Sequence, residues 1–229
     1  EQLLHVLVIM RVEGPMAGGH LGFKKEQVGE SRIPLQTIVK ETVAAIEPYE
    51  LKFGKSIPVI AGGGVTTGKD IYDIMEAGAR GVKIGTRFVT THECDASLAY
   101  KESYLTARKE DIVIIESPVG LPGRVVKNQF VQQIMDGETK PFKCPWKCLS
   151  SCNFRKAPFC IAQALFNSAR GNMDEGFAFA GANAYKADEI NHVSDVFNDL
   201  LRGYNHERLL KQMAEMRPVH IAVNPRIAV

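Results

Sequence analysis

Up to Thr90, short apolar runs alternate with longer stretches whose apolar positions recur every three or four residues, the rhythm of alternating strands and helices. Leu3 to Arg11, rich in Leu, Val and Ile, reads as a strand buried on both faces in the parallel-sheet manner. From Pro34 the pattern turns helical, with Leu35, Ile38, Val39, Thr42, Val43 and Ile46 on one stripe. Pro34 suits a first-turn position and Pro48 marks the end. Ile57 to Ala61 is the next strand. Asp70 to Ala77 is the next helix, with Ile71, Ile74 and Met75 inward and Gly78 as its stop. Gly81 to Thr90 is the third strand.

Beyond Thr90 the rhythm changes. Ala96 to Arg108 reads as a helix, Asp111 to Glu116 as a short strand, and Ser117 to Arg124 as a turn-rich link. Val125 to Met135 is helical again, and Ile161 to Arg170 forms a compact helix. Gly171 to Tyr185 is a loop of small residues, Ile190 to Leu201 an amphipathic helix, and the tail after Arg217 has no pattern. Only three strand-and-turn units precede residue 90, where a closed (β/α)8 barrel needs eight. The chain also opens at Glu1 without a methionine. The expected fold class is therefore α/β, the C-terminal part of a TIM barrel with its N-terminal strands missing, plus a smaller α-rich insert. Residues 1–92 would be the last βα units, 93–170 the cysteine-containing insert, and 171–229 the closing loop and C-terminal helices.

The chemistry concentrates in Ile57 to Phe88. Ile57-Pro58-Val59-Ile60-Ala61 runs into Gly62-Gly63-Gly64, and after one helix Gly81-Val82-Lys83-Ile84 runs into Gly85-Thr86. Two bare turns one βα unit apart leave backbone N–H groups open to an anion. In a barrel, the loops after the last two strands are where a phosphate usually lies. A rival reading uses the same residues, since Gly63 to Lys69 matches the P-loop spacing. There Asp70 stands where magnesium needs a Ser or Thr hydroxyl, which counts against a triphosphatase. His20 is set among Gly18, Gly19 and Gly22 at the end of the first strand and its loop. With a reference pKa of about 6.5 it is mostly neutral at pH 7 and able to accept a proton, so a catalytic role outweighs a structural one. The other histidines lack such a setting.

A net charge of +2 with Lys and Arg scattered among Asp and Glu gives no nucleic-acid or membrane surface. The longest apolar run, Val6 to Met10, is too short to cross a bilayer, and without a visible signal peptide the expected location is cytoplasmic. Cys144, Cys148, Cys152 and Cys160 follow a C-x3-C-x3-C-x7-C spacing. Four thiols are the right number for zinc or an iron–sulfur cluster. The spacing matches neither the usual C-x2-C pairs nor the ferredoxin run, and small buried residues are the plain alternative. Cys94 stands apart as a core or near-site thiol.

With these residues in view, the chain resembles the nitronate monooxygenase family, formerly 2-nitropropane dioxygenases, which includes the flavin-dependent enoyl-acyl carrier protein reductases. The matching segments are Glu13 to Gly22, Ile57 to Val65, Gly81 to Phe88 and Ser117 to Asn128, with Phe177 to Tyr185 fitting a variant of the family's closing glycine loop. The resemblance implies a TIM barrel carrying FMN. It also implies that Gly63, Gly64, Gly85 and Thr86 bind the phosphate, that Gly18 and Gly19 lie close to the flavin, and that His20 is the catalytic base. Lys83 stands where the family usually has glutamine, and the cysteine segment does not carry over. The expected function is oxidation of nitroalkanes or alkyl nitronates with dioxygen. The alternatives are an NAD(P)H-dependent enoyl reductase and an inactive fragment or cysteine–metal module. The expected partners are a small-molecule substrate and a second copy of the chain in a homodimer.

Overall fold

The computed structural model describes residues 9–28, 33–144, 147–148 and 152–216. The start of the first predicted strand and the tail from residue 217 lie outside the described residues. The elements are β1 (Met10–Glu13), β2 (Gly19–His20), α1 (Leu35–Phe53), β3 (Val59–Gly62), α2 (Gly68–Glu76), β4 (Gly81–Lys83) and α3 (Thr86–Val89). They are followed by α4 (Leu98–Leu105), β5 (Ile112–Glu116), β6 (Pro122–Val126), α5 (Gln129–Met135), α6 (Ile161–Ala169) and α7 (Val193–Glu215). The fold class is α/β.

Two three-stranded sheets organise the described residues. In the first, β1, β3 and β4 are parallel with β3 in the centre, and α1 and α2 make the crossovers. Val39 and Ile74 from those helices close over Ala61 and Val65, giving one apolar cluster. In the second sheet β6 is central and antiparallel to both β5 and the two-residue β2. Phe130, Phe159 and Phe177 pack ring against ring beneath it.

Several local expectations give way to tertiary context. Pro48 does not end α1. The helix loses one backbone donor there yet continues to Phe53, where Gly54 closes it in the left-handed region at φ 60°. Pro34 is the N-cap, one place before the first turn. The third strand stops at Lys83, because the chain turns at Gly85 into α3, whose Phe88 packs against Phe197 of α7 at 5.4 Å. The turn-rich link is shorter than its composition suggests. Ser117 to Leu121 is the tight turn of a hairpin, and Pro122 to Val126 is its second strand. Val125 and Val126 are therefore sheet core rather than the start of a helix, which waits for the Asn128 cap. The last helix runs on to Glu215, beyond the predicted Leu201.

α2 and α7 meet at a glycine pair. A Cβ on Gly68 would fall 2.2 Å from the Tyr204 amide nitrogen and 2.3 Å from the Leu200 carbonyl oxygen, too close for any rotamer to relieve. Gly68→Ala is therefore expected to lower stability by about 1–3 kcal/mol despite its better helix propensity. Gly22→Ala, which meets no atom within 4 Å, should stay within about 0.5 kcal/mol. Urea denaturation midpoints compare the two.

Candidate active site

A cavity of about 320 Å³ opens where the loops after β1, β3 and β4 meet the loop at Phe179–Asn183. Gly18, Gly19, Gly63, Gly64, Gly85 and Thr86 all line it, so three separate stretches of sequence converge on one space. Gly63 and Gly64 take φ of 106° and 86°, the left-handed region that a side chain disfavours. A Cβ on Gly64 would also strike Met16 at 2.8 Å. Among the described residues, no backbone hydrogen bond outside helices and strands uses the amides of Gly63, Gly64 or Gly85 as donor. A Cβ on Gly85 would meet nothing within 4 Å. The turns thus present unspent donors beside open space, which is what an anionic group requires.

The P-loop reading does not survive. Asp70 forms a capping box with Thr67, and its carboxylate accepts from the Thr66 and Thr67 amides at 2.9 Å each. The donors at that helix start are spent on a carboxylate of the chain itself.

Four other contacts fix the cavity wall. The Gly181 amide donates to Thr86 Oγ1 at 3.2 Å, Asn183 Nδ2 to the Gly64 carbonyl at 2.8 Å, and the Ala182 amide to the Met16 carbonyl at 3.0 Å. The Tyr104 hydroxyl donates to the Phe179 carbonyl. Burial pushes the Tyr104 phenol well up and the Tyr100 phenol up, so both line the cavity as protonated, largely apolar walls. On the other side Lys83 and Glu13 face each other across 4.0 Å, both well exposed.

His20 stands beside this cavity without lining it. Its ring meets Phe179, a lining residue, edge-on at 4.9 Å, and its chain neighbour Gly19 lines the wall. The expectation that His20 ends a strand of the parallel sheet is corrected: it lies in β2, paired with Gly123 of the antiparallel sheet. Its Nε2 is 2.8 Å from Ser117 Oγ at the hairpin turn. Burial lowers the imidazole's pKa, so it is held neutral.

Two residues absent from the sequence-based site complete the arrangement. Ser117 is buried and anchors His20. Arg124, 5 % exposed, donates to the Pro15 carbonyl at 2.8 Å and to the Ala17 carbonyl, binding the loop before Gly18 to the hairpin. Both fall in the Ser117 to Asn128 segment that carried the resemblance, and that was their only signal. The four clustered cysteines are elsewhere, around a separate cavity of about 230 Å³. Burial pushes the Cys152 thiol up, and the charges of the other three push it the same way. Among the described residues no group of three His, Cys, Asp or Glu stands at coordination spacing. Cys94 lines neither cavity.

The nitronate monooxygenase family model matches residues 7–203. The chain belongs to the nitronate monooxygenase family. Within it, the chain is similar to a Bacillus subtilis (strain 168) protein named probable nitronate monooxygenase, with 26 % identity over 193 residues, 84 % of this chain and 50 % of that one. The chain thus spans about half the length of the curated relatives it matches. Among solved structures it resembles FabK from Thermotoga maritima, with 25 % identity and TM-score 0.64 over 90 % of this chain and 57 % of that one. The fold is shared with a nitroalkane oxidase from Streptomyces ansochromogenes, with 20 % identity and TM-score 0.64 over 89 % and 53 %. No helix among the described residues is long and apolar enough to cross a membrane.

The lowered His20 pKa has a sign. As pH falls, the unfolded chain takes up this proton before the folded one does, so stability is present above the ordinary histidine range and declines below it. The ring-proton NMR titration of His20 is expected to have its midpoint below about 6.5. A midpoint at or above that value would mean that the ring is not desolvated.

Proposed function

We propose that this chain is the flavin-holding and proton-transferring part of an FMN-dependent oxidoreductase that oxidises nitroalkanes or alkyl nitronates with dioxygen. One observation carries the reading: the unspent amides of Gly63, Gly64 and Gly85 share a cavity with Gly18 and Gly19, next to a neutral imidazole. The residues fit the cofactor. The two glycine turns offer donors and room for its phosphate, with Thr86 beside them, and Gly18 and Gly19 let a flat ring approach the backbone. Bound there, FMN supplies the electron chemistry.

His20 supplies the proton chemistry. Nε2 is engaged by Ser117 Oγ, so in the tautomer that places its proton on Nε2 the free lone pair of Nδ1 would remove the acidic α-proton of a nitroalkane. Ser117 fixes the ring's orientation, while Arg124 keeps the preceding loop in place. Phe179, Tyr100 and Tyr104 exclude water from the wall opposite the glycines. The parallel strands β1, β3 and β4 are read as one sector of a (β/α)8 barrel, within residues 1–92. Residues 93–170 and 171–229 supply the hairpin and the closing loop. Among the described residues β1 is an edge strand, with Met10 38 % exposed, and that edge suits further strands of the barrel. The working protein is read as a cytoplasmic homodimer.

Lys83 supports a second reading. Its ammonium at the cavity edge, where the family usually has glutamine, suits the phosphates of NAD(P)H, as in a flavin enoyl-acyl carrier protein reductase. Mixing the full-length flavoprotein with NADH in the absence of oxygen separates the two, since rapid flavin bleaching favours the reductase.

His20→Asn in the full-length protein is expected to keep flavin bound and to lower kcat/KM for the neutral nitroalkane by about 10²–10⁴. The preformed nitronate, which has no proton left to lose, should suffer far less. Undiminished turnover of the neutral substrate would remove His20 from the mechanism. Gly85→Val places its side chain in open space, so folding should hold while FMN affinity drops by about tenfold or more, near 1.4 kcal/mol. Equilibrium dialysis of flavin together with thermal denaturation checks both halves.

A further inference from the structure

We propose that Cys144, Cys148, Cys152 and Cys160 form a tetrathiolate site for one thiophilic metal centre, a zinc ion or an iron–sulfur cluster, that organises the connection between α5 and α6. The four thiols, with Lys147, Phe142, Phe154 and Ile161, line one cavity, and all four are free of disulfides. The connection itself is unusual. Among its described residues, none from Asp136 to Cys160 belongs to a helix or strand. A long connection inside a domain, about twenty-five residues here, commonly serves a function. Here its two arms are held at their base, where the Lys140 amide donates to the Pro158 carbonyl at 2.6 Å and Phe159 is fully buried. Between those points the four cysteines line the cavity beside Phe142 and Phe154.

Charge supports the same assignment. From Thr139 to Cys160 the chain carries Lys140, Lys143, Lys147, Arg155 and Lys156 and not one Asp or Glu. Lys140 is paired with Glu138 at 3.5 Å, and the remaining concentration of positive charge favours an anion in the loop. Four thiolates around a divalent ion, or around a cluster core of the same charge, leave such an anion. Cys160 holds the N-cap position of α6 without a side-chain hydrogen bond to the helix, so a ligand thiolate there would lie near the positive end of the helix dipole. The thiols now stand at the cavity walls rather than at coordination spacing. On ligation each thiol loses its proton to solvent and moves inward, which couples metal binding to local ordering. The site shares no lining residue with the glycine-lined cavity, so it stands or falls independently of the flavin reading.

The test uses the full-length protein, expressed with zinc and iron in the medium and purified without oxygen. Elemental analysis is expected to find about one zinc, or about four irons with acid-labile sulfide, per chain. Visible absorbance assigns which, since zinc thiolate is colourless. Cys148→Ser and Cys152→Ser should each lower the metal content at least tenfold, while Cys94→Ser leaves it unchanged. Should these variants fail to fold, titration of reduced, metal-stripped wild-type protein with Co²⁺ should give thiolate-to-cobalt charge-transfer bands. Metal-free wild-type protein without such bands, a disulfide among the four, or full metal retention in Cys152→Ser would overturn the proposal.

Discussion

The arrangement depends on one buried cation. Arg124 is locked in the centre of the antiparallel sheet, and its guanidinium reaches the carbonyls of Pro15 and Ala17 in the loop that follows the parallel sheet. Hydrogen bonds from a buried charged group are worth about 1.5–3 kcal/mol each. These bonds tie the antiparallel sheet to the loop that follows β1. Since Gly18 and Gly19 directly follow the clamped carbonyls, the clamp also decides where the cavity wall stands and where His20 begins. The imidazole is then fixed from the same side by Ser117, seven residues before Arg124 in the hairpin.

Glycine plays the complementary part, in close approach. Gly18 comes so near the Ala180–Gly181 peptide that a Cβ would lie 2.6 Å from it, and Gly181 is similarly pressed against Thr86. These contacts let three loops from distant parts of the chain share a wall no thicker than the backbone. The remaining donors then face the cavity. Where a P-loop would turn the helix start toward a phosphate, this chain gives that start to Asp70. Anion recognition is thereby confined to the strand ends. A neutral imidazole, two protonated phenols and unspent amides suit the removal of a carbon-bound proton and the placement of a phosphorylated ring system better than hydrolysis of a triphosphate.

Much of the parallel layer was legible because its signals are local. Apolar runs ending in glycines, the stripe of α1 and the Gly78 stop of α2 each act within a few residues. The failures share a cause in the opposite direction. Pro48 is a strong local breaker, yet the helix persists around it because Val39 and Ile46 are buried on its inner face. Gly81 to Thr90 has the composition of a long strand, but the packing of Phe88 on Phe197, more than a hundred residues later, turns its second half into a helix. The glycines and prolines of Ser117 to Arg124 read as a link, and pairing with β5 and β2 makes half of that link a central strand.

The order of residues alone determined the βαβ unit, its two glycine turns, the histidine flanked by glycines and the run of four cysteines, since each is written in neighbours along the chain. Which of them meet was a tertiary decision. Ser117 lies 97 positions from His20, and Arg124 lies 107 from the Ala17 carbonyl that it holds. Neither separation leaves a mark in composition or periodicity. Only folding brings a hydroxyl to an imidazole or a guanidinium to a loop, because the energy that selects those partners, the cost of burying a polar group without one, does not exist until the chain has buried them.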